Sequence, residues 1–330
     1  MNSFGRLFRV GMFGESHGPH VGVVVDGAPA GLPLGVADFF ADAERRRSGK
    51  PGTTARKETD SPTIASGVFE GRTTGAPILI LFENRDVDSS AYEPLRRTPR
   101  PGQADLVALQ KYGGFNDYRG GGAFSGRLTA ALVAAGVIAK KLIRPAEVAA
   151  ELVEAGGSAD VEGAIEKAVK ARDSIGGVVG CRVRGLPAGL GEPFFDSTEG
   201  LLSHLLFSIP GIKAVEFGSG IASSRMAGSE FNDEIVSTTG ETRTNNAGGI
   251  IGGITNGNDV LFRVAVRPTA SIGRSQHTVN MDTGELCEVS AKGRHDACFA
   301  VRVPVIVEAA CAIVMADLML IEQRIPRIFR

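Results

Sequence analysis

Cysteine is scarce in this chain: Cys181, Cys287, Cys298 and Cys311 are four residues in 330. They stand far apart and form no C-x-x-C pair, which argues against a disulfide framework or a zinc site and for reduced thiols. The formal net charge is only −1, so no overall field draws the protein to nucleic acid, and no polybasic tail points to a membrane surface. The first residues, Met1 to Arg6, lack the basic and apolar regions of a signal peptide. No run approaches the roughly 18 apolar residues of a membrane-crossing helix. An internal repeat and a dividing linker are also missing. A single cytoplasmic domain spanning 1–330 is therefore expected, long enough to bury its core without disulfides or metals.

Glycine is abundant instead. Its 44 residues are roughly 13% of the chain against an average near 7%, with no collagen-like period. Clustered glycine marks backbone in unusual conformations or close to a ligand. Between the clusters, residues 6–13, 21–26, 64–69, 77–82, 178–184, 212–218 and 259–266 read as strands. Residues 36–47, 127–143, 145–154, 159–171, 197–207 and 304–323 read as helices, the one at 145–154 led by Pro145. The polar stretch 48–61 reads as a mobile loop. Strands and helices interleave without the βαβα beat of a doubly wound sheet.

Several segments carry chemistry. Gly14-Glu15-Ser16-His17-Gly18 fits the nucleophile pattern of serine hydrolases, with His295 and Asp296 as conceivable partners. However, Pro19 and a β-rich run follow it, where that motif needs a helix. Gly120-Gly121-Gly122-Ala123-Phe124-Ser125-Gly126 runs straight into the helix at Arg127. Such backbone exposes N–H groups to an anion, with Arg119 and Arg127 flanking it. It lacks the Gly-Lys-Ser/Thr ending of a P-loop. The run Arg45-Arg46-Arg47, with Arg56, is either a solvated face or a phosphate clamp. Gly293-Arg294-His295-Asp296 joins a guanidinium, a base and an acid, at most two of which face one site. The glycine-rich stretch 245–253 suits packing against a flat ligand or another subunit.

Taken in order, these segments resemble the chorismate synthase family nearly end to end. The matching stretches are Phe4-Gly5 with 13–18, Arg100-Pro101-Gly102-x-Ala104-Asp105, Lys111-Tyr112-Gly113 and Asp117-Tyr118-Arg119-Gly120-Gly121-Gly122. They continue through 173–177, Ser208-Ile209-Pro210, Asn245-Asn246-Ala247-Gly248-Gly249, Pro268-Thr269 and 293–296. The resemblance implies an α+β fold, a β-α-β sandwich with helices between antiparallel sheets, assembled as a homotetramer. It implies reduced FMN as cofactor, with NADP as the associated nicotinamide coenzyme and reduction supplied by an external flavin reductase. The implied reaction eliminates phosphate from 5-enolpyruvylshikimate 3-phosphate to give chorismate.

Carried over by residue, the resemblance makes His17 the acid at the departing phosphate and gives Asp296 the ring proton. Ser16 and Gln103 would stand beside the flavin. Arg46, Arg56, Arg119, Arg127 and Arg294 would hold the substrate. Ala123, Phe124, Ser125, Pro210, Gly211, Gly252, Arg267, Pro268, Thr269, Ala270, Ser271 and again Arg294 would contact FMN. Four departures fall in this set. Gln103 replaces the family's histidine and cannot deliver a proton near neutral pH. Ala123-Phe124-Ser125-Gly126-Arg127 replaces R-S-S-A-R, losing a guanidinium and gaining a ring. Arg267 replaces lysine, and Pro210-Gly211 replaces Asn-Ala. The arginine loop also carries extra residues at 48–50. The second reading is therefore a diverged homologue that binds a phosphorylated shikimate-like ligand, or a flavin, without the family turnover.

Overall fold

Short apolar, β-branched runs build the first sheet. Val21, Val23 and Val25 on one strand, and Ile78, Ile80 and Phe82 on its neighbour, are buried, as a two-residue period requires when one face is covered. In a computed structural model, which describes residues 2–53, 60–85, 87–290 and 296–330, these strands are β3 (His20–Asp26) and β7 (Ile78–Glu83). With β1 (Ser3–Phe4), β2 (Arg9–Gly14) and β4 (Thr63–Ile64) they form an antiparallel sheet ordered β1-β2-β3-β7-β4. A short hairpin, β5 (Val68–Phe69) and β6 (Arg72–Thr73), lies beside it. The single strand expected at 64–69 is thus two pieces. Ser66 separates them, its hydroxyl donating to the Pro77 carbonyl and accepting from the Leu79 N–H in place of ladder bonds.

The second sheet, ordered β10-β13-β9-β8, joins β8 (Glu147–Ala155), β9 (Gly177–Arg184), β10 (Ile212–Phe217) and β13 (Val260–Val266). Here the expectation of a helix at 145–154 fails. Ala, Glu and Leu favour helix, but Val148, Ala150 and Leu152 alternate toward the core while residues between them face out. Pairing with β9 from Glu147↔Arg184 to Ala155↔Gly177 overrides intrinsic propensity. Two further hairpins, β11 (Ile250–Ile251) with β12 (Ile254–Thr255) and β14 (Gln276–Val279) with β15 (Leu286–Val289), project from loops.

Helices fill the space between the sheets. α1 (Phe40–Arg46), α2 (Asp105–Tyr112), α3 (Thr129–Leu142), α4 (Val161–Lys170), α5 (Thr198–Ser208), α6 (Gly228–Phe231) and α7 (Val303–Ile321) follow the expected positions, α2 and α6 apart. α3 packs on β2, β3 and β7, α7 packs on β8 and β9, and the two helices lie against each other. Their approach needs Gly136: a Cβ there would stand 2.3 Å from that of Ala309. The chain is therefore an α+β sandwich with α3 and α7 packed between its sheets.

The sequence expectation that no segment is apolar enough to cross a membrane needs correction. Residues 299–321 pass by length and composition, but 83% of the apolar window is buried inside the protein. Two acids mark α7 as a core helix. Glu308 accepts from Arg45 at 2.6 Å through both Nη atoms, from Lys140 at 2.7 Å and from the Ala150 N–H at 2.9 Å. Asp317 accepts the N–H groups of Arg6, Leu7 and Phe8. Buried carboxylates with every oxygen engaged are what a protein interior tolerates.

Candidate functional site

A cavity of about 270 Å³ opens where the ends of α1, α3 and α7 meet the loops 120–127, 210–211 and 267–270. Its floor is built from charge. Arg46, on the last turn of α1, and Arg127, just before α3, both reach the carboxylate of Asp60, and all three residues are buried. Arg46 Nη2 donates to Asp60 Oδ2 at 2.5 Å. Arg127 donates to Oδ1 and, through Nε at 2.8 Å, to Asn84 Oδ1. Asp60 is held in the left-handed region at φ +48, which aspartate tolerates better than most residues and which recurs at functional sites.

One carboxylate between two guanidiniums leaves the floor short of negative charge. Burial and the neighbouring Arg302 and Arg127 lower the Arg46 guanidinium to about 10, against the pull of Asp60. It remains charged at neutral pH. Burial pushes Asp60 up, yet its two arginines outweigh that and hold its carboxyl below the ordinary range. Among the described residues the lining carries five arginines (Arg46, Arg47, Arg127, Arg267 and Arg302) against Asp60 and Asp296, an excess of three positive charges. Arg46 Nε and Thr269 Oγ1 are buried with no hydrogen-bond partner. Such orphaned groups suit an oxyanion ligand that completes them.

The arginine run resolves residue by residue. Arg45 turns to Glu308 in the core, Arg46 enters the floor, and Arg47 lines the rim while pairing with Glu44. Asp296 also lines the cavity and accepts from Arg302 Nη1 at 3.2 Å, and Arg302 Nε donates to the Arg46 carbonyl at 2.8 Å. Ser125 lines the cavity and its hydroxyl accepts the Arg127 N–H, capping the turn that leads into α3.

His17 stands just behind this wall. Its Nδ1 lies 2.8 Å from Ser89 Oγ, and its ring meets Tyr92 edge to face at 5.1 Å. The Nε2 edge abuts Gly120, where a Cβ would lie 2.5 Å from Nε2 and 2.8 Å from Ser16 Oγ. Gly120 has φ +60, so both its conformation and this close approach require glycine. Ser16, Gly120 and Tyr92 themselves line the cavity. The serine-hydrolase geometry is absent, because Ser16 is buried and β3 rather than a helix begins at His20.

Gln103 and Phe124 occupy a distinctive place. Both line the first cavity and also a second one of about 320 Å³ formed by α2 and the loop 113–121. They stand as a partition between the two, and the Phe124 ring borders both spaces, with Tyr112 6.3 Å away.

Four expected contacts lie off the cavity. Arg119 folds back on Asp117 with Nε and Nη2 each at 2.8 Å. Ala123 is exposed. Ser271 is buried behind Ala270 and accepts from Arg100 Nη1 at 3.1 Å. Gly252 is at the tip of the β11–β12 hairpin, where Gly252 and Gly253 at φ +63 and +87 form the two-residue turn such strands need. Pro210, Gly211, Arg267, Pro268, Thr269 and Ala270 do line it. Arg56, Arg294 and His295 lie outside the described residues. Sequence reading missed Asp60, Tyr92, Phe299 and Arg302, which no motif marks because only folding brings them here.

The sequence profile of the chorismate synthase family matches residues 8–320. A chorismate synthase of Chitinophaga pinensis is 60% identical over 331 residues, covering 100% of both chains. One from Dehalococcoides mccartyi is 46% identical over 361 residues, covering 100% of this chain and 99% of that one. A solved structure, the crystal structure of a chorismate synthase, superimposes with a TM-score of 0.75 at 27% identity, covering 97% of this chain and 93% of its own. The chain belongs to the chorismate synthase family.

Proposed function

We propose that this cavity eliminates phosphate from 5-enolpyruvylshikimate 3-phosphate to form chorismate, with phosphate leaving C3 and a proton leaving C6. The observation that carries this reading is the buried floor in which Arg46 and Arg127 share one carboxylate. A floor so short of negative charge fits a phosphorylated, carboxylated substrate. The chain is thus a carbon–oxygen lyase of aromatic amino acid biosynthesis, acting as one cytoplasmic domain.

Arg46 and Arg127 bind the substrate's anionic groups, with Arg56 and Arg294 joining them. His17, facing Gly120 and Ser16, supplies a proton to the departing phosphate, a role suited to an imidazole's ordinary pKa of about 6.5. Asp296 takes the C6 proton. The chemistry that reduced FMN would supply here is electron density to the substrate ring, returned within the same turnover, which is why a redox cofactor would serve a reaction with no net redox change. Phe124, Ser125, Pro210, Gly211 and residues 267–270 would hold it. The orphaned Thr269 hydroxyl and the cationic Arg267 on this wall suit a polar, anionic cofactor. Reduction comes from an external flavin reductase using a nicotinamide coenzyme.

Assembly as a homotetramer is supported by large exposed side chains, among them Ile221 and Ile235 at 72% and Ile251 at 59% exposure. Gly252, beside Ile251 and off its own chain's cavity, would then reach the flavin of a second copy. The test is an anaerobic assay with chemically reduced FMN and 5-enolpyruvylshikimate 3-phosphate, following chorismate absorbance. Chorismate formation supports the lyase. Bound substrate without product would leave a binding homologue.

A further inference from the structure

The short turn 89–92 grips His17 from two directions. Ser89 Oγ meets Nδ1 at 2.8 Å, while the Tyr92 ring presses edge to face on the imidazole at 5.1 Å and an interplanar angle of 82°. The other edge of the imidazole faces Gly120, where a Cβ would stand 2.3 Å from Cδ2 and 2.5 Å from Nε2. The ring is therefore contacted at Nδ1 by Ser89, by the Tyr92 ring, and closely approached by backbone at its Nε2 edge.

Tyr92 is itself braced. Arg100, only 7% exposed, places its guanidinium 5.7 Å from the Tyr92 centroid. Arg100 is fixed in turn by Asp105, with Nε and Nη2 each at 2.8 Å, and by Ser271 at 3.1 Å. A guanidinium over a tyrosine face is attracted to its negative quadrupole. The bracing therefore runs from the Arg100–Asp105 pair through the Tyr92 ring to His17. Tyr92 also lines the cavity, so whatever binds there touches the residue that holds the imidazole.

We infer that Tyr92 is a positioning residue for His17, fixing the imidazole through its aromatic ring so that the Nε2 edge stays at the cavity wall beside Ser16. This rests on the reading of His17 as the acid. The ring, rather than the phenol, does the positioning, because the contact to His17 is an edge-to-face ring contact.

The test compares Tyr92→Phe, Tyr92→Leu and Ser89→Ala in the full-length protein. The His17 imidazole is titrated by NMR without ligands, and kcat and KM are then followed against pH. Tyr92→Phe should keep the wild-type His17 resonance and pH profile. Tyr92→Leu should move both, with kcat about tenfold down, the size of one ring contact expressed as a rate. Ser89→Ala should move the His17 resonance as well.

A wild-type His17 titration in Tyr92→Leu would overturn the proposal, as would Tyr92→Phe behaving like Tyr92→Leu. Should Tyr92→Leu not fold, the Tyr92→Phe and Ser89→Ala comparison decides: a perturbed titration in the first, or an unperturbed one in the second, overturns the clamp. Full activity in His17→Ala would remove the acid role alone, since the free-protein titrations do not depend on turnover.

Discussion

Arg46 and Asp60 form a buried ion pair at 2.5 Å, and Arg127 closes on the other oxygen of the same carboxylate. Asp60→Asn keeps the shape and removes the anion that the two buried cations share. Stripping one partner from a buried pair costs about 3–5 kcal/mol. Denaturant unfolding should show that loss, and added inorganic phosphate should restore part of it by supplying the missing charge. A loss under about 1 kcal/mol would mean that water already reaches the pair.

Substrate binding should depend on guanidinium shape as well as charge. Arg127→Lys keeps the cation but loses the fork that reaches Asp60, Asn84 and the Glu83 carbonyl at once. Each charge-assisted hydrogen bond is worth about 1.5–3 kcal/mol. The expected fall in kcat/KM is on the order of ten- to a hundredfold, read by steady-state kinetics.

Stability should fall with acid through Glu308. Burial alone would raise its carboxyl, but Arg45, Lys140 and the Ala150 N–H lower it below the ordinary value. A depressed carboxylate gives stability that is complete above the unfolded value of about 4.3 and is lost as pH falls through the lower folded value. Glu308→Gln should cost about 3 kcal/mol at neutral pH and flatten the stability curve below pH ~4. Thermal unfolding across pH checks both.

The partition makes a prediction about size. Phe124→Ser removes the ring that separates the two cavities, so flavin should bind about fivefold more weakly, the effect of roughly 1 kcal/mol of lost apolar contact. Flavin fluorescence measures this directly. Gln103→His puts a titratable group into the same wall, and turnover should rise if a proton donor is what the wall lacks. Unchanged turnover would mean that the wall works with an amide.

Much of this was legible in the sequence. The short apolar runs of β3 and β7 are properties of neighbours along the chain, as are the long apolar stretches of α3 and α7, so they announced their own structure. The glycine cluster before Arg127 and the arginine run at 45–47 marked the region of the site for the same reason. Local signals failed where pairing across the fold decided. The segment 147–155 has helix-forming residues, and only β9 and α7 made it a strand. Arg119 pairs with Asp117 and Gly252 sits at a hairpin tip, off the cavity of its own chain, placements that their local sequence does not show. Asp60 carries no motif, because its role exists only when two arginines distant along the chain converge on it. The sequence by itself determined the family, the short apolar runs that form the sheets and the supply of cations. Only the tertiary structure decided which cation faces the core, which faces the cavity and which carboxylate stands between them, since a side chain's charge environment is set by neighbours distant along the chain.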